Sequence, residues 1–176
     1  MDQPRRHRRS IRLRDYDYSQ PNAYFVIICA HRRACLFGQI IESEMRLNET
    51  GLIVADCCQE IPEHFSAVSL DEWMIMPNHL HGIVIITEAT NDTDVAAAQH
   101  AAPLPVKTVP LSVIVRSFKS AVTRRVNAIR ATDNPVWQRN YYEHVVRDER
   151  ALDRIRRYIL ENPIRWADDS ENPRNW

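Results

Sequence analysis

The sequence predicts an α+β fold, an antiparallel sheet with helices packed on one of its faces. Short runs rich in Val, Ile and aromatic residues alternate with segments of helical period along the 176 residues. Two of these runs, AVSLDEWMIMP and HLHGIVIITE, meet at Pro77 and Asn78, a tight connection that makes them an antiparallel pair. The order read from the chain is strand, hairpin, helix, strand, strand, helix, strand, helix, with no internal repeat.

Each element has a local reason. AYFVIICA, from Ala23 to Ala30, is an apolar β-branched run after Pro21 and reads as a core strand. LFGQIIESEMRLNETG forms a hairpin or an extended excursion, ending at Asn48 as the cap of the next helix. From Glu49 to His64 the apolar positions Leu52, Ile53, Ala55, Cys57 and Ile61 fit a helix, with Pro62 near its end. Residues 88–110 are rich in Ala, Thr and Pro without a period and read as a flexible loop. Leu111 to Arg130 is a basic amphipathic helix with Val115, Phe118, Val122 and Val126 on one side. NPVWQRNYYEHVV is an aromatic turn or short strand. A last helix runs from Asp148, its N-cap, to Asn162, stopped by Pro163. This gives a basic arm over 1–20, one domain over 21–166, and an acidic tail over 167–176.

Composition narrows the class. At 44% hydrophobic and 26% charged the chain is an ordinary globular one, and no run approaches the ~18 apolar residues of a membrane span. The start MDQPRRHRRSIRLRDYDYS is basic with no apolar stretch after it, unlike a secretory signal, so no membrane partner and a cytoplasmic location are expected. Cys29, Cys35, Cys57 and Cys58 have no C-x-x-C spacing and are read as reduced thiols. The formal net charge is +0, yet the charge is clustered. Residues 1–14 carry Arg5, Arg6, Arg8, Arg9, Arg12 and Arg14 against Asp2, and SVIVRSFKSAVTRRVNAIR carries Arg116, Lys119, Arg124, Arg125 and Arg130 with no acid. Arginine forks match phosphate oxygens; a codon preference with solvated helix faces would produce the same residues one by one.

Candidate chemistry centres on His79 and His81. Residues two apart on a strand share a face, so Leu80 turns away and both imidazoles aim at one point. Such a pair is either core packing or two metal ligands, and a metal needs a further donor from elsewhere. The last helix offers Tyr158 and Asn162, four apart and so on one helical face, with Glu161 one step aside. Taken alone, Tyr158 reads as packing, and Asn162 before Pro163 reads just as well as a helix-end residue.

Four stretches, RRSIRLRDYDYSQPNAYFVIICAHRRACLFG, MPNHLHGIVI, VRSFKSAVTRRVN and VWQRNYYEHVVRDERALDRIRRYILENPIRW, resemble in this order the single-tyrosine transposases of the HUH nuclease superfamily, within them the REP-associated tyrosine transposases. They cover most of the chain outside 88–110 and the extreme tails. The resemblance implies a ferredoxin-like or RRM-like antiparallel sheet backed by helices. It implies that His79 and His81 bind Mg²⁺ or Mn²⁺, that Tyr158 is the nucleophile, and that Asn162 supplies a third ligand where related enzymes often have glutamine. Glu143 and His144 lie in a family-like motif placed around the site or in DNA contact.

The implied substrate is single-stranded DNA held next to a hairpin. Arg116, Lys119, Arg124 and Arg125 would line its backbone, and the arm with Arg8, Arg9 and Arg12 would grip a stem. Tyr141 and Tyr142 would stack bases or serve as aromatic core. The expected products are a 5′-phosphotyrosine link and a free 3′-hydroxyl; the stored ester needs no nucleotide, in keeping with the absence of a G-x-x-x-x-G-K-[ST] loop. One tyrosine per chain makes one link at a time, which points to a homodimer for paired cuts. The alternative is a hairpin-binding protein that descends from such an enzyme and does not cut.

Overall fold

The computed structural model describes residues 16–88, 109–169 and 171–175. Arg8, Arg9 and Arg12, and nearly all of the 88–110 loop, lie outside the described residues. The chain runs β1 (Asn22–Cys29), β2 (Gly38–Ile41), β3 (Glu44–Leu47), α1 (Glu49–Gln59), α2 (Ile61–His64), β4 (Val68–Met76), β5 (His79–Ile86), α3 (Leu111–Arg130), β6 (Tyr142–Val146) and α4 (Glu149–Glu161). The main sheet has the order β4-β5-β1-β6 with every neighbour antiparallel. Setting aside the separate β2–β3 hairpin, this is a βαββαβ ferredoxin-like arrangement, and the α+β class read from the sequence holds.

Local signals explain the boundaries. The Asn48 side chain accepts from the Gly51 N–H at 3.0 Å and Asp148 accepts from Ala151 at 2.7 Å, each satisfying a donor that the helix cannot. The helix read over 49–64 breaks at Glu60, because Pro62 lies in the first turn of α2 and has no N–H to continue α1. The hairpin closes on Glu42 and Ser43, both left-handed at φ 50 and 66, the two-residue geometry whose twist suits antiparallel strands.

Helices cover both faces of the sheet, not one. α1 and α3 pack Val54, Cys57, Ile114, Val115, Phe118 and Val122 against Val26, Ile28, Leu80 and Val84. On the other face α4 lays Leu152, Ile155 and Ile159 over Phe25, Ile83 and Val146. The reason is in β5: HLHGIVII is buried nearly throughout, and a strand without polar alternation needs cover on both sides. Ile159, the buried member of the α4 stripe, contributes about 1.5–3 kcal/mol, and the half-buried Leu152 and Ile155 add to it. The orientation of α4 is set by Arg156, which donates to Asp71 through Nε at 3.0 Å and a terminal nitrogen at 2.6 Å. Asp71 reaches α4 because β4 shifts register between Leu70 and Trp73.

The segment read as an acidic tail is packed in its described part. Two short 3-10 turns, Trp166–Asp168 and Pro173–Asn175, fold it back so that Glu171 pairs with Arg33 and its carbonyl accepts from the Asn78 amide at 2.7 Å.

Gly51 sits where α1 meets the chain before the hairpin: a Cβ there would lie 2.1 Å from the Phe37 carbonyl oxygen. Gly→Ala inside a helix ordinarily stabilises by ~0.5–1 kcal/mol. Here Gly51→Ala should destabilise by about 1–3 kcal/mol through overpacking, read as a lowered urea midpoint at unchanged m-value; a raised midpoint would contradict the close approach.

Candidate metal and tyrosine site

The two histidines hold the positions that a strand gives them. In the ladder His79 lies between Cys29 and Met76, and His81 between Ile27 and Met74, both on the face that α4 covers, while Leu80 joins the opposite core. Their Nε2 atoms are 2.6 Å apart, and the side chains are 0% and 1% exposed. Asn78 orients the first ring. Its amide nitrogen donates to the Arg33 and Glu171 carbonyls, which leaves Oδ1 facing His79 Nδ1 at 2.8 Å. Nδ1 therefore carries the proton, and the Nε2 lone pair points inward. Burial drives both imidazoles far below the ordinary histidine range, helped at His79 by the neighbouring His81 and Arg33 charges; His81 falls to about 3. Both are neutral, as ligands must be.

Three further groups converge from the C-terminal part of the chain. The Tyr158 ring stands edge-on to His81, 5.2 Å between centroids, and edge-on to Phe25 at 6.1 Å, with the residue 40% exposed. Burial raises its phenol above the usual value, the nearby Asp169 carboxylate adds to the rise, and the Asn162 amide opposes it by hydrogen bonding. Asn162, one turn on, is 3% exposed and its Oδ1 has no partner among the described residues. Asp169 Oδ2 is likewise unpartnered, 3.8 Å from His79 Nε2, and burial raises its carboxyl.

The ligand atoms of His79, His81 and Asp169 lie within 4.8 Å of one another. A buried carboxylate oxygen without a donor costs several kcal/mol, as does a bare amide oxygen to a lesser degree. Without an ion, the neutral His81 carries its proton on Nε2 toward His79, and its Nδ1 has no partner among the described residues; with that proton on Nδ1 instead, two Nε2 lone pairs and these two oxygens make a donor set that a divalent cation fits. Asp169 was not legible in the sequence. It is one of several acids after Pro163, and only the turn in which its other oxygen accepts from Glu171 N–H at 2.7 Å aims it inward.

The residues read as DNA contacts divide between the two faces. Tyr142 and His144 pair with Ile27 and Phe25, so they share the histidine face; Tyr142 is edge-on to Phe25 at 6.1 Å and His144 is exposed. Tyr141 packs on the opposite core. Arg116, Lys119, Arg124 and Arg125 lie on α3, across the sheet from the histidines. Arg125 forms a two-pronged pair with Glu60 at 2.9 and 2.7 Å, and Lys119 donates to the Gln138 and Arg139 carbonyls at 2.6 and 3.1 Å.

The fold is similar to that of a solved transposase. It superposes on a solved REP-associated tyrosine transposase bound to a REP hairpin with a TM-score of 0.58, covering 88% of this chain and 73% of that one at 17% identity, a likeness of fold. By sequence the chain belongs to one family with an uncharacterized protein of Haemophilus influenzae, 44% identical over 169 residues, which are 93% of this chain and 92% of that one. No family model matches the chain.

Two measurements check the site. The unfolded chain regains ordinary histidines near 6.5, so below that value it binds more protons than the folded one and stability rises with pH. Going from about pH 7 to about pH 5 should cost on the order of 1–2 kcal/mol per buried histidine, with a smaller loss in His81→Gln. Added Mn²⁺ or Mg²⁺ should stabilise chelated protein, by ~2.7 kcal/mol at a hundredfold excess over Kd. Calorimetric melts should show that gain reduced in Asp169→Asn and absent in His81→Gln; an equal gain in all three would place the ion elsewhere.

Proposed function

We propose that the chain is a metal-dependent endonuclease and strand transferase for single-stranded DNA beside a hairpin, with Tyr158 as its nucleophile. The observation that carries this reading is a tyrosine standing edge-on to a buried, neutral histidine pair, with a carboxylate and an amide oxygen unpartnered around it. His79 and His81 would hold the cation through Nε2, with Asp169 and Asn162 as its oxygen donors. When bound, Mg²⁺ or Mn²⁺ supplies charge to a scissile phosphate oxygen and eases attack by an anion.

The chain's own residues do the rest. Tyr158 Oη attacks phosphorus; its bond to phosphorus forms as the bond to the 3′-oxygen breaks, leaving a 5′-phosphotyrosine and a free 3′-hydroxyl. The phenol loses its proton to solvent at its exposed edge, and the leaving 3′-oxygen takes one up from solvent. Asn162 assists by donating to the phenolate oxygen, and any positive charge accepted by Asp169 removes the anion that disfavours that phenolate. Tyr142 and His144, on the same face, are placed to meet the strand as it leaves the site. The solved fold relative is bound to a REP hairpin, which makes hairpin-containing DNA the substrate of choice for a test.

Oligonucleotides with hairpins from the DNA flanking the gene should give a covalent protein–DNA adduct with Mn²⁺ or Mg²⁺. Chelation should abolish it, and so should Tyr158→Phe. Survival of the adduct in Tyr158→Phe would move the nucleophile to Tyr142 or another residue. Tight hairpin binding without an adduct under either metal would instead support a protein that holds hairpins without cutting.

A further inference from the structure

On the sheet face away from the histidines, α3 and residues 135–139 enclose an open cleft of about 460 Å³. Its functional lining is Lys119, Ser120, Arg124, Trp137 and Arg139, with no carboxylate. A second cleft of about 610 Å³ on the other side of α3 shares Ser120 and Arg124 but contains Glu60, whose carboxylate is taken by Arg125.

The first cleft presents donors. Two arginine forks border it. Lys119 spends two hydrogen bonds on the Gln138 and Arg139 carbonyls, and an ammonium has three protons. Trp137, only 6% exposed, closes the cleft on its core side, with its ring packed on Phe37 and Phe118. A ligand that complements this lining must be rich in acceptors and negatively charged, as a phosphate is.

The cleft also has a fixed relation to the proposed site. The Gln138 N–H donates to the Cys29 carbonyl at 2.9 Å, and Cys29 is paired with His79. The cleft floor and the histidine pair are thus two strand spacings apart, ~10 Å, on opposite faces near one end of the sheet.

We infer that this cleft is a phosphate pocket, which holds the backbone of a DNA strand a few nucleotides from the bond that Tyr158 would cut. The inference deepens the proposed function and rests on it for the identity of the strand. It assigns Arg139 to DNA contact and separates Arg124 and Lys119 from Arg125, whose fork is occupied.

The test uses the full chain and single-stranded oligothymidylate, with and without a hairpin. Arg124→Gln with Arg139→Gln is compared with Arg46→Gln with Arg130→Gln, an equal loss of charge outside the cleft. At ~0.7 per phosphate on single strands, losing two contacts should lower the slope of log affinity against log salt by ~1.4, with no such change in the control. In NMR spectra, the indole N–H signal assigned through Trp137→Phe should shift on titration with oligothymidylate in the wild type and stay in place in the cleft variant. Equal slopes in the two double variants, an unmoved indole signal with DNA bound, or no DNA binding by the wild type would each overturn the pocket. Adduct formation with unchanged slopes would sink the pocket alone, while changed slopes without any adduct would retain it and remove the nuclease.

Discussion

The structure depends on one strand having two buried faces. In β5 the strand period sends Leu80 and Val84 into the core under α1 and α3, and His79, His81 and Ile83 into the core under α4. Placing two imidazoles in a dry layer 2.6 Å apart requires both to stay neutral and favours partners for their ring nitrogens. Burial enforces the first, and Asn78 provides the second at His79 Nδ1, its own amide held by two carbonyls from distant segments, while His81 Nδ1 has no partner among the described residues. The site is therefore built into the sheet, not appended on a loop.

That second buried face dictates what α4 must be. A helix laid over Phe25 and Ile83 needs its apolar stripe at Leu152, Ile155 and Ile159, and Tyr158 beside the last of these falls next to His81. Packing alone leaves the helix free to slide along its axis. The Arg156–Asp71 clamp removes that freedom, and the Asp71 carboxyl is held below its usual range chiefly by the Arg156 hydrogen bonds. A register shift in an edge strand thus fixes the position of a phenol on a helix. The packed tail then brings the Asp169 carboxylate near the phenol, which stays 40% exposed.

Much of this was legible from local chemistry. Asn48, Asp148 and Pro163 mark helix ends because caps and proline act within a turn, and Pro77 with Asn78 mark the β4–β5 turn for the same reason. H-x-H on a strand reports a shared face directly. The hairpin was ambiguous because its turn uses Glu42 and Ser43 in left-handed geometry, where Asn-Gly is the recognisable signal. The assignment of helices to one face failed because periodicity within α4 says that it has an apolar side, not which side of a sheet receives it. Asp169 was missed for a related reason: its role depends on Glu171 meeting Arg33 and Asn78 across 93 residues in the second case, a long-range closure with no local pattern. Placing α3 across from the histidines likewise turns a list of basic residues into two different environments, one acid-free and one neutralised by Glu60.

The order in which these parts leave the ribosome follows from the same distances. His79 and His81 pair with β1 and β4, all made in the first half of the chain, but Tyr158, Asn162, Asp169 and Glu171 come from its last fifth. At ~5–20 residues per second of synthesis, the histidines wait on the order of 5–20 s for their cover. During that interval the α4 face of the sheet is bare, and the imidazoles that end up dry are exposed to water. A nascent chain thus holds two of the candidate ligands well before it holds the tyrosine, so any ion met early meets an incomplete centre.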